Sequence, residues 1–425
     1  MVKTATCNAE YALAAGVIDM DIGEQWVRLC GQIGHFSERT TGINIVDAYF
    51  GPDELAPERQ QKDRAPEDIL HELESLSDRI TDEFGEDLRR MCMLKDVSSL
   101  HTTVSWLSGQ DFPYLELVER LLHVQPEAFP ESKIEQVRRE VEQAFSDFPG
   151  DDTADRVRRF QREGEIIGDD ARRFIEVDLQ KESTGIGEMF RTRVYEVIGD
   201  SVTDNGIEYR AVTDKPWGAY NWYMGDFRSV NEFNIDRPIT PNTVIGAIYH
   251  EYEHHVSNLW REKAYKEHGW TDLSVVSYYT GHSVIAEGTA DTAADFLGVG
   301  KETRKGNAAR ATSDLFRILS INAAIMMNQD DMPVEEVVDY VTERSFSPRE
   351  RIEAVMGVMK PETADGRPNF FAPYVFAYYI GRNDYVYPTF VKARETNQLP
   401  KFFRTLYLNP YAASSVTWDE AFEWL

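Results

Sequence analysis

The sequence predicts a mainly α protein with a small antiparallel β-sheet, and three features predict it. Apolar residues recur at i, i+3, i+4 and i+7 through most of residues 20–200 and again beyond residue 295. Gly51-Pro52, Phe112-Pro113, Phe129-Pro130 and Pro149-Gly150 cut that pattern into separate lengths. Between residues 205 and 236 the period falls to two, in runs too short for helices.

In chain order, the expected helices of the first half are 20–37, 66–91, 112–124, 131–146 and a long 152–182. Strands follow at Ile207–Val212, Ala219–Tyr223 and Arg228–Ile235, the last two joined by a turn at Met224-Gly225-Asp226. Phe233-Asn234-Ile235 is the expected free edge, where an extended peptide substrate pairs through its backbone, so Phe233 and Asn234 are candidate substrate-binding residues. Trp217, Tyr220, Trp222 and Tyr223 are candidate cleft aromatics. Thr240-Pro241 then starts a helix expected over 242–264, because a capping residue followed by a first-turn proline is a helix start. Ile245, Ile248, Tyr249, Tyr252, Val256, Leu259 and Trp260 form its apolar stripe. Further helices are expected at 306–328, 333–344, 348–359, 370–395 and 417–425.

The chemistry lies on the helix over 242–264. His250-Glu251-Tyr252-Glu253-His254 places two imidazoles one turn apart, opposite the apolar stripe, with a glutamate between them, a pattern that holds a zinc ion and activates water. His71-Glu72-Leu73-Glu74-Ser75 begins in the same way but lacks the second histidine. Glu251 and Glu253 lie on either side of the histidine face at equal angles, so the pentad reads equally as the inverted H-x-x-E-H motif. His255 falls at the edge of the stripe and is expected to be structural or at the surface. Downstream, Glu287 and Asp291 share a helix face. One can ligate the metal while the other accepts a ligand histidine's N–H.

These two motifs resemble those of the gluzincins, the thermolysin-like clan of metallopeptidases, over residues 215–390 in arrangement. The resemblance implies Zn2+ held by His250, His254 and Glu287, Glu251 as general base, and Asp291 as support for a histidine. Glu253 is then expected at solvent or behind the ligands. The resemblance also implies a zincin-like catalytic domain over 201–425 behind a helical N-terminal domain over 1–200, in a branch of helical oligopeptidases and carboxypeptidases that favours short peptides. The 33-residue step from His254 to Glu287 fits that branch better than thermolysin, and the G-x-M-E-N strand of the alanyl-type aminopeptidases is absent. Tyr378-Tyr379-Ile380-Gly381-Arg382 resembles the downstream Y-x-x-G step whose tyrosine donates to the oxyanion, which implies Tyr378 with Tyr379 as rival. Arg382 shares a helix face with Tyr378 and is placed to meet a substrate carboxylate.

Composition narrows the partners. A net charge of −28 disfavours nucleic acid, whose phosphates it would repel. No run of about 18 uncharged apolar residues offers a membrane span. Glu10 before Tyr11–Ile18, with Asp19 and Asp21 closing the stretch, is unlike a secretory leader, so a cytoplasmic location is the default expectation. Cys7, Cys30 and Cys92 are too few and too scattered for a disulfide framework. Acids outnumber bases 73 to 45, and 32 arginines stand against 13 lysines, a balance expected of a protein kept soluble at high salt. Two rival readings are a non-catalytic protein whose zinc is closed by His255 or His282, and a zinc amidase or esterase with a non-peptide substrate. Nothing in the pattern fixes an oligomeric state.

Overall fold

A computed structural model describes residues 21–425 apart from residues 216, 301 and 302 and the side chains of residues 243 and 245. Cys7, the segment 1–20 weighed above as a leader, and the side chain of Ile245 therefore lie outside the described residues. The fold is mainly helical with two small sheets. The expected helices recur with shifted bounds. The 66–91 stretch is two helices, Pro66–Glu83 and Leu88–Leu107, because Phe84 turns extended and Asp87 caps the second by accepting the Arg90 N–H at 2.9 Å. The 152–182 stretch breaks into Thr153–Arg162 and Gly168–Arg173, then continues through a π segment, Phe174–Leu179, into Gln180–Phe190. A second interruption of this kind, Gly381–Val386, divides 370–395 into Val375–Ile380 and Tyr387–Glu395.

The central sheet corrects the expectation of an antiparallel one. It holds three strands, β2 (Ile207–Val212), β3 (Ala219–Tyr223) and β4 (Ser229–Asn234), in the order β2-β4-β3. β3 and β4 form an antiparallel hairpin, but β2 runs parallel to β4. Strand patterning sets which face is buried and leaves strand order free. The hairpin turn is fixed from outside, since the buried carboxylate of Glu262 accepts the backbone N–H groups of Asp226 and Phe227 and the Tyr223 hydroxyl. A second sheet, which the sequence did not announce, pairs β1 (Val46–Tyr49) with β5 (Val275–Ser277). Its register shifts between Val46 and Ala48, so Asp47 sits at a bulge, a device that re-aims one side chain.

The helix that carries the histidines spans Pro241–His268, and Gly269, at φ +68°, ends it by donating to the Tyr265 carbonyl. Val244, Ile248, Tyr252, Val256, Leu259 and Trp260 are all buried along one stripe. Each such aliphatic contributes about 1.5–3 kcal/mol by leaving water. Two large cores result. One joins residues from Ile22 to Phe160 with residues from Val275 to Ile380, and the other joins residues from Ile175 to Phe296 with residues from Val386 to Phe422. Each core draws on both sides of residue 200.

Candidate metal centre

Two crossing helices build the site. The histidine helix presents His250 and His254, and the helix Gly281–Phe296 presents Glu287 and Asp291. That second helix is packed on nearly every face, which its run of small residues permits. His254 Nε2 lies 3.1 Å from His250 Nε2, and Glu287 Oε2 lies 3.3 Å from His250 Nε2 and 3.8 Å from His254 Nε2. Among the described residues these three are the one group of three or more such side chains able to hold a metal ion, with ligand atoms all within 4.8 Å of one another. Glu287 Oε2 is buried without a hydrogen-bond partner. A buried carboxylate oxygen without a hydrogen bond, facing two ring nitrogens, is a donor set whose chemistry fits zinc.

The surroundings hold these side chains in ligand-ready form. His250 Nδ1 is 2.9 Å from Asp291 Oδ1, and Asp291 also pairs with Arg317, whose Nη2 is 2.7 Å from the same oxygen. Tyr374 donates its hydroxyl to Glu287 Oε1 at 2.9 Å. Burial first, and the neighbouring His250 second, push the His254 imidazole down to about 4, which leaves it neutral. Burial opposes the charge on Glu287, but the closeness of the His250 and His254 rings and the hydroxyl of Tyr374 outweigh that and keep its pKa below the ordinary value.

The two glutamates of the pentad part company. Glu251 lines the cleft. Burial raises its carboxyl to about 7, with His250 pulling it down, Glu287 and Asp47 adding to the rise, and the Asn221 backbone N–H again lowering it. Glu253 corrects the expectation that it reaches solvent or backs the ligands. It is fully buried away from the cleft, where it accepts the hydroxyls of Ser257 at 2.6 Å and Tyr407 at 3.1 Å. His255 is likewise buried, between Ser229 and Asp204. His282 borders the cleft with Nδ1 2.9 Å from the Ala413 carbonyl, and neither His255 nor His282 joins the three-residue cluster.

Two connected lobes, of about 750 and 980 Å³, meet over His250, Glu251 and Tyr378. The Tyr378 ring stacks on the His250 ring at 6.3 Å and carries the Arg317 guanidinium 5.2 Å above it. Tyr379 points elsewhere, packing edge-on against Phe129. Of the four candidate aromatics, Trp217 and Tyr220 line the cleft, whereas Trp222 bonds Glu232 and Tyr223 bonds Glu262.

No family model matches the chain, and no curated protein matches it. Among solved structures, one of a protein from Colwellia psychrerythraea, described as a "putative lipoprotein", aligns over 84% of this chain and 67% of its own at a TM-score of 0.54 and 13% identity. A looser match, to a protein of Shewanella oneidensis with the same description, covers 84% of this chain and 72% of its own at a TM-score of 0.45 and 10% identity. The gluzincin resemblance is corrected by this result. The fold is shared with a protein described as a lipoprotein, and the resemblance rested on two short motifs. The cytoplasmic expectation is withdrawn on the same finding, since a lipoprotein is a membrane-tethered class and the expectation rested on residues 1–20, outside the described ones. No described helix is long and apolar enough to cross a membrane.

Two candidate substrate contacts are also corrected. Phe233 and Asn234 border the cleft but lie on β4, the central strand, whose two edges are both paired. The exposed edge beside the cleft belongs to β3, where Asn234 N–H bonds the Gly218 carbonyl and the alternation of antiparallel pairing turns the backbone of Ala219 and Asn221 outward. Arg382 is 1% exposed, pairs with Asp295 at 2.8 Å and stacks on Tyr387 at 4.3 Å, so it meets no substrate. Its guanidinium is claimed within the helix packing instead, with Nε 3.3 Å from the Asp291 carbonyl. Residues that the sequence reading missed include Asp47, Tyr278, Tyr374 and Arg317. Asp47 accepts the Tyr220 hydroxyl, which lies 2.6 Å from that of Tyr278. Tyr374 stands one turn before Tyr378, a spacing that was there to be read, whereas nothing local marked Asp47 or Arg317.

Proposed function

We propose that the protein is a zinc-dependent hydrolase that cleaves peptide bonds, with short peptides as substrates. The observation that carries this reading is the convergence of His250 Nε2, His254 Nε2 and the unpartnered Glu287 Oε2, with the Glu251 carboxylate beside them in the cleft. When bound there, zinc would polarise the scissile carbonyl and make water a better nucleophile. The chain's own groups do the rest. Asp291 fixes the His250 ring through Nδ1, so that Nε2 faces the cleft. Glu251, with a pKa raised to about 7, takes the proton of the attacking water and passes it to the leaving amine. Tyr378, whose hydroxyl burial keeps protonated, donates to the oxyanion. The outward backbone of Ala219 on β3, at the unpaired strand edge lining the cleft, receives an extended peptide.

The test is metal content together with hydrolysis of short peptides. Wild-type protein should carry about one zinc per chain, and Glu287→Ala should lose most of it, since structural and catalytic sites alike fail when one of three ligands is removed. Zinc content unchanged in a His250→Ala/His254→Ala double variant would rule the centre out.

A further inference from the structure

Cations line the second lobe of the cleft, and nearly all of them are satisfied. Arg317 pairs with Asp291, Arg310 with Asp314, and Lys305 with Glu163, while Arg304 donates to the Asp147 carbonyl. Arg351 differs. It lines the lobe, yet among the described residues its guanidinium makes no hydrogen bond, ion pair or ring contact. Arg349, two residues earlier and outside the cleft, is paired with Glu335, Asp339 and Glu353. The chain has acids to spare, 73 against 45 bases, and none among the described residues pairs with Arg351.

A second arginine stands close by. Arg237 lines the first lobe and donates to the carbonyl of Ala354 at 3.0 Å, on the same short helix, Arg349–Val355, that carries Arg351. Arg351 and Arg237 are both exposed; desolvation by the surrounding protein first and the like charge of Arg237 second lower the pKa of Arg351. Asp236 also borders the first lobe, but its carboxylate accepts the Asp214 N–H and makes no ion pair with Arg237. Exposed at the cleft, on or against the same short helix, the two arginines together offer planar donor forks to one anion.

We propose that Arg351 and Arg237 together bind a carboxylate of the substrate, so that the cleft selects peptides presenting an anionic group near His250 and Tyr378. The proposal takes its substrate class from the hydrolase reading, but its charge selection stands on the arginines alone. Val355, Phe316 and Tyr378 line both lobes, so a ligand held at this pair lies in the same cleft as the metal centre. The carboxylate is either the peptide's C-terminus or an Asp or Glu side chain.

Equilibrium binding to the Glu251→Gln protein separates these sources without needing turnover. Three probes are compared: penta-alanine, its C-terminal amide, and that amide with one alanine replaced by glutamate. Penta-alanine should bind about tenfold or more tightly than its amide, as a charge-assisted bidentate contact implies, and Arg351→Ala should abolish the difference while Arg351→Lys restores part of it. Arg237→Ala should reduce the difference. Recovery of affinity by the glutamate-bearing amide would assign the pair to a side chain, and failure to recover would assign it to the C-terminus. Equal binding of acid and amide, discrimination that survives Arg351→Ala, or no binding of any probe would overturn the proposal. Discrimination without hydrolysis by the wild-type protein would sink the hydrolase reading and leave this one standing.

Discussion

Glu251 and Glu253 show how far two chemically identical residues can be separated by about half a turn of helix. Both carboxyls are raised to about 7, and burial is the first cause for each, yet only Glu251 lines the cleft. Glu251→Gln should keep its zinc and lose peptidase activity by about 10²–10⁴-fold, the usual loss on removing a general base. Glu253→Gln, which preserves shape against Ser257 and Tyr407, should change kcat/KM by less than about threefold. Peptidase assays on the two variants decide, and the opposite ranking would give the base role to Glu253. At this scale the gathering of His250, His254, Glu287 and Asp291 was readable, since helical spacing puts each pair on one face and the motif resemblance joined the two helices. Arg382 was misread because helical spacing does not show that Asp295 and the Asp291 carbonyl already take its guanidinium. Asp47 was unreadable because a bulge in a four-residue strand leaves no periodic trace.

Among the elements, the contact that most tightly constrains the centre is between the helix Gly281–Phe296 and the π segment Gly381–Val386. A Cβ on Gly288 would fall 2.2 Å from the Gly381 carbonyl carbon and 2.3 Å from its oxygen, both backbone atoms that cannot swing aside. Gly288→Ala should therefore destabilise by about 1–3 kcal/mol or more. Because Gly288 adjoins Glu287, the substitution should also lower zinc content. Gly185, where an added Cβ would meet nothing within 4 Å, is the control, and Gly185→Ala should be neutral or slightly stabilising. Equal melting temperatures for Gly288→Ala and wild type would show that the two elements have slack. Helix existence was readable from apolar spacing, but the helix Leu399–Leu408 and the β1–β5 pair were missed, the first under a single Pro400 and the second because its strands are short and far apart in sequence. The position of β4 between its neighbours also lay beyond the pattern, since alternation describes a strand's faces and not its partners.

For the whole molecule, a charge of −28 is the dominant long-range term. If carboxylate repulsion limits the fold, the melting temperature should climb as potassium chloride rises from about 0.1 M, where the Debye length is about 10 Å, to about 1 M, where it is about 3 Å. A flat profile across that range would show that the acidic excess is a solubility feature and would remove the case for a high-salt source. Sodium sulfate is unsuitable for this comparison because it also strengthens apolar burial. The shared cores bear on how the chain comes to be folded as it is made. Val46 pairs with Ser277, and the core that begins at Ile22 is closed by residues up to Ile380. Residues as far as Ile380 must therefore leave the ribosome before that core can seal, and the early helices wait through the synthesis of about 200 further residues with their apolar faces open to whatever chaperone is at hand.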